Sequence, residues 1–153
     1  MINVPLSRLL RSVLICSAWG IMTASVLLTF IFQGYFVPGF RPTFPTAPRE
    51  LIFVAYFLVF LVALLSGMLS SDIGEAVLLY FGSLAVTCAV EYVVLILPSL
   101  TGLAPPTVLA EVGLVPLPDL ALLVVFYSLF PVPLVLGLFG SFVGAALGES
   151  FLS

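Results

Sequence analysis

The chain has 153 residues, 63% of them hydrophobic, with 4 basic and 7 acidic residues and a mean hydropathy of +1.38. Its 7% of charged residues falls far below the roughly 25% of a soluble domain, too few to cover a core of this size with polar surface. That excludes a water-soluble globule, a disordered chain and a nucleic-acid binder, which needs a basic face. What fits is a helical protein living in lipid.

Four apolar stretches are expected to cross the membrane, at about 12–32, 51–69, 76–97 and 119–148, within a single integral membrane domain over 1–153. The first follows Arg8 and Arg11 and carries no charge. It runs past 20 residues, whereas the apolar region of a secretory signal has about 7 to 15, so a retained span is expected. The second and third approach the ~20 residues that a helix needs to cross ~30 Å of hydrocarbon. Between them lies a tight polar turn, Ser70 to Glu75.

The fourth stretch is about 45 Å long as a straight helix and contains Pro131 and Pro133. Two full spans do not fit, because Leu120 to Phe130 covers only about 16 Å. The expected fold is therefore an all-α membrane protein, a four-transmembrane-helix bundle whose last helix is long and kinked at Pro131/Pro133. A re-entrant half-helix followed by a shorter span is the alternative. Of the 12 prolines, only Pro131 and Pro133 lie within the four stretches, as expected where lipid demands that backbone hydrogen bonds close internally.

The connections 33–50 and 98–118 are Pro-rich and poor in charge. Tyr35, Phe36, Phe40 and Phe44 suit the headgroup zone, and Thr107 to Leu114 can lie flat there as a short helix. Either that face sits in the interface or a partner covers it. The positive-inside count is even, Arg8 and Arg11 against Arg41 and Arg49. The amino terminus tips it toward both termini in the cytoplasm, in a prokaryotic cell membrane.

Glu91 is the sharpest functional signal. It lies within the third stretch, roughly 9 Å from the nearer end, where a carboxylate costs about 2.5–3.5 kcal/mol on insertion scales. Tyr80, Ser83, Thr87 and Glu91 are spaced by three, four and four residues, one polar stripe along a helix. Ser25, Thr29 and Gln33 repeat that spacing on the first span. Both stripes are expected to point away from lipid, lining a hydrated path or bonding across a dry interface. For Glu91 two roles stand open: a proton- or cation-binding group flanked by Thr87, Ser83 and Tyr80, or a structural acid bonded to a carbonyl or hydroxyl.

A second signal concerns helix packing. Gly140, Gly144 and Gly148 repeat at four residues, with Gly137, Ser141 and Ala145 in a parallel row, the small-xxx-small pattern of close helix contacts. Cys16, Gly20 and Ala24, and Ala63, Gly67 and Ser71, echo it on the first and second spans. The contact it serves lies within one chain or between chains.

With no His and two Cys, a disulfide framework and the usual zinc sites are not expected. Cys16 and Cys88 differ in depth by roughly 12 Å, too far to bridge. The chain has no GxSxG, HExxH, phosphate loop or CxxC, so no catalytic residue, metal or cofactor is expected and the protein reads as a non-enzyme. The expected role is a subunit of a larger or self-associated membrane assembly, with the lipid bilayer and other membrane subunits, or itself, as partners. The alternative is a small secondary transporter or channel using Glu91.

Overall fold

A computed structural model describes residues 6–36, 50–70, 72–103 and 116–152, apart from the side chains of 6–9, 151 and 152. These residues form five helices and no strand: α1 (Leu6–Phe32), α2 (Leu51–Met68), α3 (Ile73–Leu100), α4 (Leu117–Leu129) and α5 (Val132–Leu152). Four helical segments are long and apolar enough to cross a membrane, Leu10–Phe32, Leu51–Met68, Ile73–Leu100 and Val132–Ser150. This points to an integral membrane protein. The expected interfacial helix at Thr107 to Leu114, and Phe40, Phe44, Arg41, Arg49, Ser71 and Glu111, lie outside the described residues.

The boundaries follow local chemistry. Asp72 caps α3, its carboxylate accepting from the Glu75 amide at 2.7 Å, which starts the helix before the expected Ala76. At the other end α3 runs through Pro98 to Leu100 rather than stopping at Leu97. The carbonyls of its last turn are capped there: Ser99 Oγ donates to Ile96 O at 2.7 Å and Thr101 Oγ1 to Leu97 O at 3.0 Å. Gly34 (φ 87°) and Gly102 (φ 75°) supply the left-handed residues that turn the chain out of α1 and α3.

The single long helix expected over 119–148 is instead two helices. A proline disfavours helical backbone at the residue before it, and Phe130 is extended (φ −120°, ψ 142°). α4 therefore ends at Leu129, and Pro133 falls in the first turn of α5, where a missing amide costs nothing. With 13 residues, α4 is about 20 Å long, short of the ~30 Å hydrocarbon core. α4 and α5 pack one after the other along α3: Ser128 meets Glu91, and Leu134 meets Tyr80.

The closest packing joins non-consecutive helices. Around the structure the long helices follow the order α1, α3, α5, α2. α2 and α5 run parallel in constant register, Gly140 against Phe60, Gly144 against Leu64 and Gly148 against Met68. α1 and α3 are likewise parallel, Cys16 against Gly82 and Gly20 against Val86. Arg11 donates from Nη2 to Leu69 O at 2.9 Å, a cation on the open carbonyls that end α2. This contact and the seat of Gly148 on Met68 gather the start of α1, the α2–α3 turn and the end of α5 at one end of the protein.

The apolar core is built from Leu27 and Ile31 of α1, Val59 of α2, Leu95 of α3, and Leu120 and Val124 of α4. Large apolar side chains such as Phe53, Phe57, Leu78 and Phe139 face outward. That inversion of the soluble pattern suits hydrocarbon surroundings.

Candidate functional site

The polar stripe of α3 lies on its inner face: Tyr80, Ser83, Thr87 and Glu91 are all buried. Its hydroxyls reach in different directions. Tyr80 Oη donates to Leu134 O at 2.8 Å, tying α3 to the first turn of α5. Thr87 Oγ1 stands 3.0 Å from Gly20 O on α1 and 2.9 Å from Ser83 O on its own helix. Ser83 Oγ donates to Tyr80 O at 2.8 Å.

Glu91 is 0% exposed and ends the stripe against α4. Its Oε2 lies 2.7 Å from Ser128 Oγ, and its Oε1 has no hydrogen-bond partner. Ser128 is itself fully buried, and its Oγ also stands 2.8 Å from Val125 O. Ser128 was missed in the sequence, although with Tyr127 it carries one of the two hydroxyls in the LALLVVFYSLF run. α3 is thus linked by polar contacts to α1, α4 and α5, each link at a different depth.

The stripe on α1 behaves differently. Ser25, Thr29 and Gln33 are exposed, contrary to the expectation that they point inward. Ser25 Oγ donates to Ile21 O and Thr29 Oγ1 to Ser25 O, both at 2.8 Å. A hydroxyl bonded to the carbonyl one turn back leaves no unmet polar group, so lipid exposure carries little penalty and spacing alone cannot fix the face. These residues do not join the α3 stripe.

Thr23, Ser66, Tyr80, Ser83 and Thr87 line a central cavity of about 20 Å³, with Trp19 and apolar neighbours. That is room for about one water molecule. On the outer side, Leu84, Cys88 and Tyr92 of α3 and Leu122, Val125 and Phe126 of α4 line an apolar notch of about 330 Å³ beside the α4–α5 break.

Compared with known proteins, the chain matches no family model, no curated protein and no solved structure. The chemistry must therefore be read from its own residues. Cys16 and Cys88 are free thiols, and Cys16 Sγ donates to Leu79 O at 3.5 Å. Among the described residues no three His, Cys, Asp or Glu side chains cluster as metal ligands would.

The small-residue rows sit inside the chain. A Cβ placed on Gly140 would lie 2.7 Å from Phe60 O, and one on Gly148 2.9 Å from Met68 O. At Gly144 and at Gly67 it would run into the backbone of Leu64 and of Ser141. Gly137 seats the Tyr80 ring, with a would-be Cβ 2.6 Å from Cε2. Ser141 and Ala145 are both buried. The ridge therefore brings α5 against α2 and clears space for the phenol that bonds Leu134.

Proposed function

We propose that this is a small polytopic membrane protein, a single integral domain, that acts as a subunit of a larger or self-associated membrane assembly. The observation that supports this reading is the filled interior. Gly140, Gly144 and Gly148 of α5 are closed on α2, Gly137 is closed on Tyr80 of α3, and the hydroxyls of Tyr80, Ser83 and Thr87 bond backbone carbonyls. The central cavity, about 20 Å³, has room for about one water. The surface that remains for work is the apolar exterior, including the 330 Å³ notch between α3 and α4. Both termini belong on one side, the cytoplasmic side on the charge count, with the chain packed as a four-span bundle in which α4 is a half-length segment.

Gentle detergent extraction from the native membrane is expected to yield either fixed-ratio co-purifying membrane polypeptides or a discrete homo-oligomer. Recovery solely as a monomer, by mass measurement of the protein–detergent particle, contradicts the assembly reading.

One observation favours a second reading. The unpartnered Oε1 of a wholly buried acid suits a small transporter or channel in which Glu91 carries the ion and Thr87, Ser83 and Tyr80 are its polar neighbours. Under that reading, purified protein in sealed vesicles exchanges ions and Glu91→Gln abolishes the exchange; silent vesicles end it.

A further inference from the structure

The occupant of the Glu91 site follows from counting hydrogens. Ser128 Oγ has one hydrogen but two acceptors in reach, Glu91 Oε2 at 2.7 Å and Val125 O at 2.8 Å. If Glu91 were ionised, a full negative charge would be held by at most that one shared hydrogen, while Oε1 had none. Glu91 and Ser128 are completely buried, and so are Leu95, one turn along α3, and Val124, one turn along α4. A charge in such surroundings is strongly disfavoured unless paired.

A proton on Oε2 resolves the count. Glu91 then donates to Ser128 Oγ, and Ser128 donates to Val125 O, so that each hydrogen has one acceptor at ordinary O–H···O length. We propose that Glu91 is a proton-binding site, in which the carboxyl group holds one exchangeable proton against Ser128 Oγ and takes no metal cation. Hard cations need about six oxygen ligands. Among the described residues this site offers the carboxyl group and one hydroxyl.

The ionisable groups nearest in the fold do not supply a counter-charge. On α3 they are Cys88 and Tyr92, and on α4 the exposed Tyr127 and Asp119. α1 presents Leu27 and Ile31 to this core, and α2 presents Val59, with Tyr56 one turn away. α5 begins beyond Ser128 and carries its acid, Glu149, at the far end. Arg11, the basic side chain among those described, is engaged with Leu69 near the start of α3.

This inference deepens the second functional reading by naming its ion, yet it is tested without transport. Full-length protein in lipid vesicles is examined by infrared difference spectroscopy at neutral pH, wild type against Glu91→Gln. The expected spectrum contains the carbonyl stretch of a neutral carboxylic acid that is absent from Glu91→Gln, moves on exchange into deuterated water and is indifferent to sodium. In Ser128→Ala, which keeps the acid and removes its acceptor, the same band shifts to higher frequency. That variant carries the test if Glu91→Gln does not fold.

A Glu91 carboxylate signature at neutral pH, loss of the acid band on adding sodium, or a band that ignores Ser128→Ala overturns the proposal. An acid band in vesicles that show no flux keeps the proton site and removes the transport reading. Flux without the band does the reverse.

Discussion

Gly144→Leu is expected to prevent α5 from seating on α2. A side chain at this position meets the carbonyl of Leu64 and the amide of Met68, atoms that cannot rotate aside, so the helices themselves must separate. Overpacking against flexible side chains typically costs about 1–3 kcal/mol, and a backbone partner places this substitution at or above the top of that range. The loss spreads along the register, since Gly140, Ser141 and Gly148 sit on the same face and depend on the same interaxial distance. The effect should be graded. Gly148→Ala, at the end of the contact with 2.9 Å to Met68 O, should be milder than Gly144→Ala. The midpoint of unfolding in a denaturing detergent titration reads both. Equal midpoints for wild type and Gly144→Leu contradict the packing described here.

The second large effect belongs to Gly20→Val. Its Cβ would stand 2.6 Å from Val86 Cβ and 2.7 Å from Ser83 O, so α1 must move off α3 along a register that also seats Cys16 on Gly82. The same displacement pulls Gly20 O away from Thr87 Oγ1. That hydroxyl still has Ser83 O at 2.9 Å, so the loss is one of packing more than of polar satisfaction. Thr87→Val, which removes the hydrogen bond and keeps the contact, should accordingly cost no more than about 0.5–1.5 kcal/mol. Comparing the two unfolding midpoints separates the terms. A Thr87→Val midpoint as low as that of Gly20→Val means the hydroxyl, not the close approach, holds α1 to α3.

The parts legible from sequence are those in which lipid leaves a residue no choice. Glu91 cannot face hydrocarbon cheaply, and Tyr80, Ser83 and Thr87 share its face by spacing, so the inner stripe of α3 is legible in the sequence. The α1 stripe had the same spacing but no such constraint, because Ser25 and Thr29 satisfy themselves on their own helix. In a span that is apolar all round, periodicity does not announce which face is inside. Glycine spacing on α5 announced a close contact but not its partner, since a ridge fits α2 and a second chain equally well.

The break at Phe130 was harder to see. Two prolines two residues apart are compatible with a kink or a stop, and what decides between them is the extended backbone adopted before Pro131. Ser128 has no signature in the sequence because its importance depends on a neighbour 37 residues away, a pairing that only the docking of α4 on α3 creates.

The outward-facing apolar side chains require hydrocarbon around them. Spin labels at Phe57 of α2 and Phe139 of α5, each 59% exposed, measure this directly when the protein is reconstituted in a bilayer. Frequent collisions with dissolved oxygen, which concentrates in the membrane interior, and few with a water-soluble nickel chelate are expected. Labels at both positions that collide freely with the nickel chelate and little with oxygen would contradict a hydrocarbon setting.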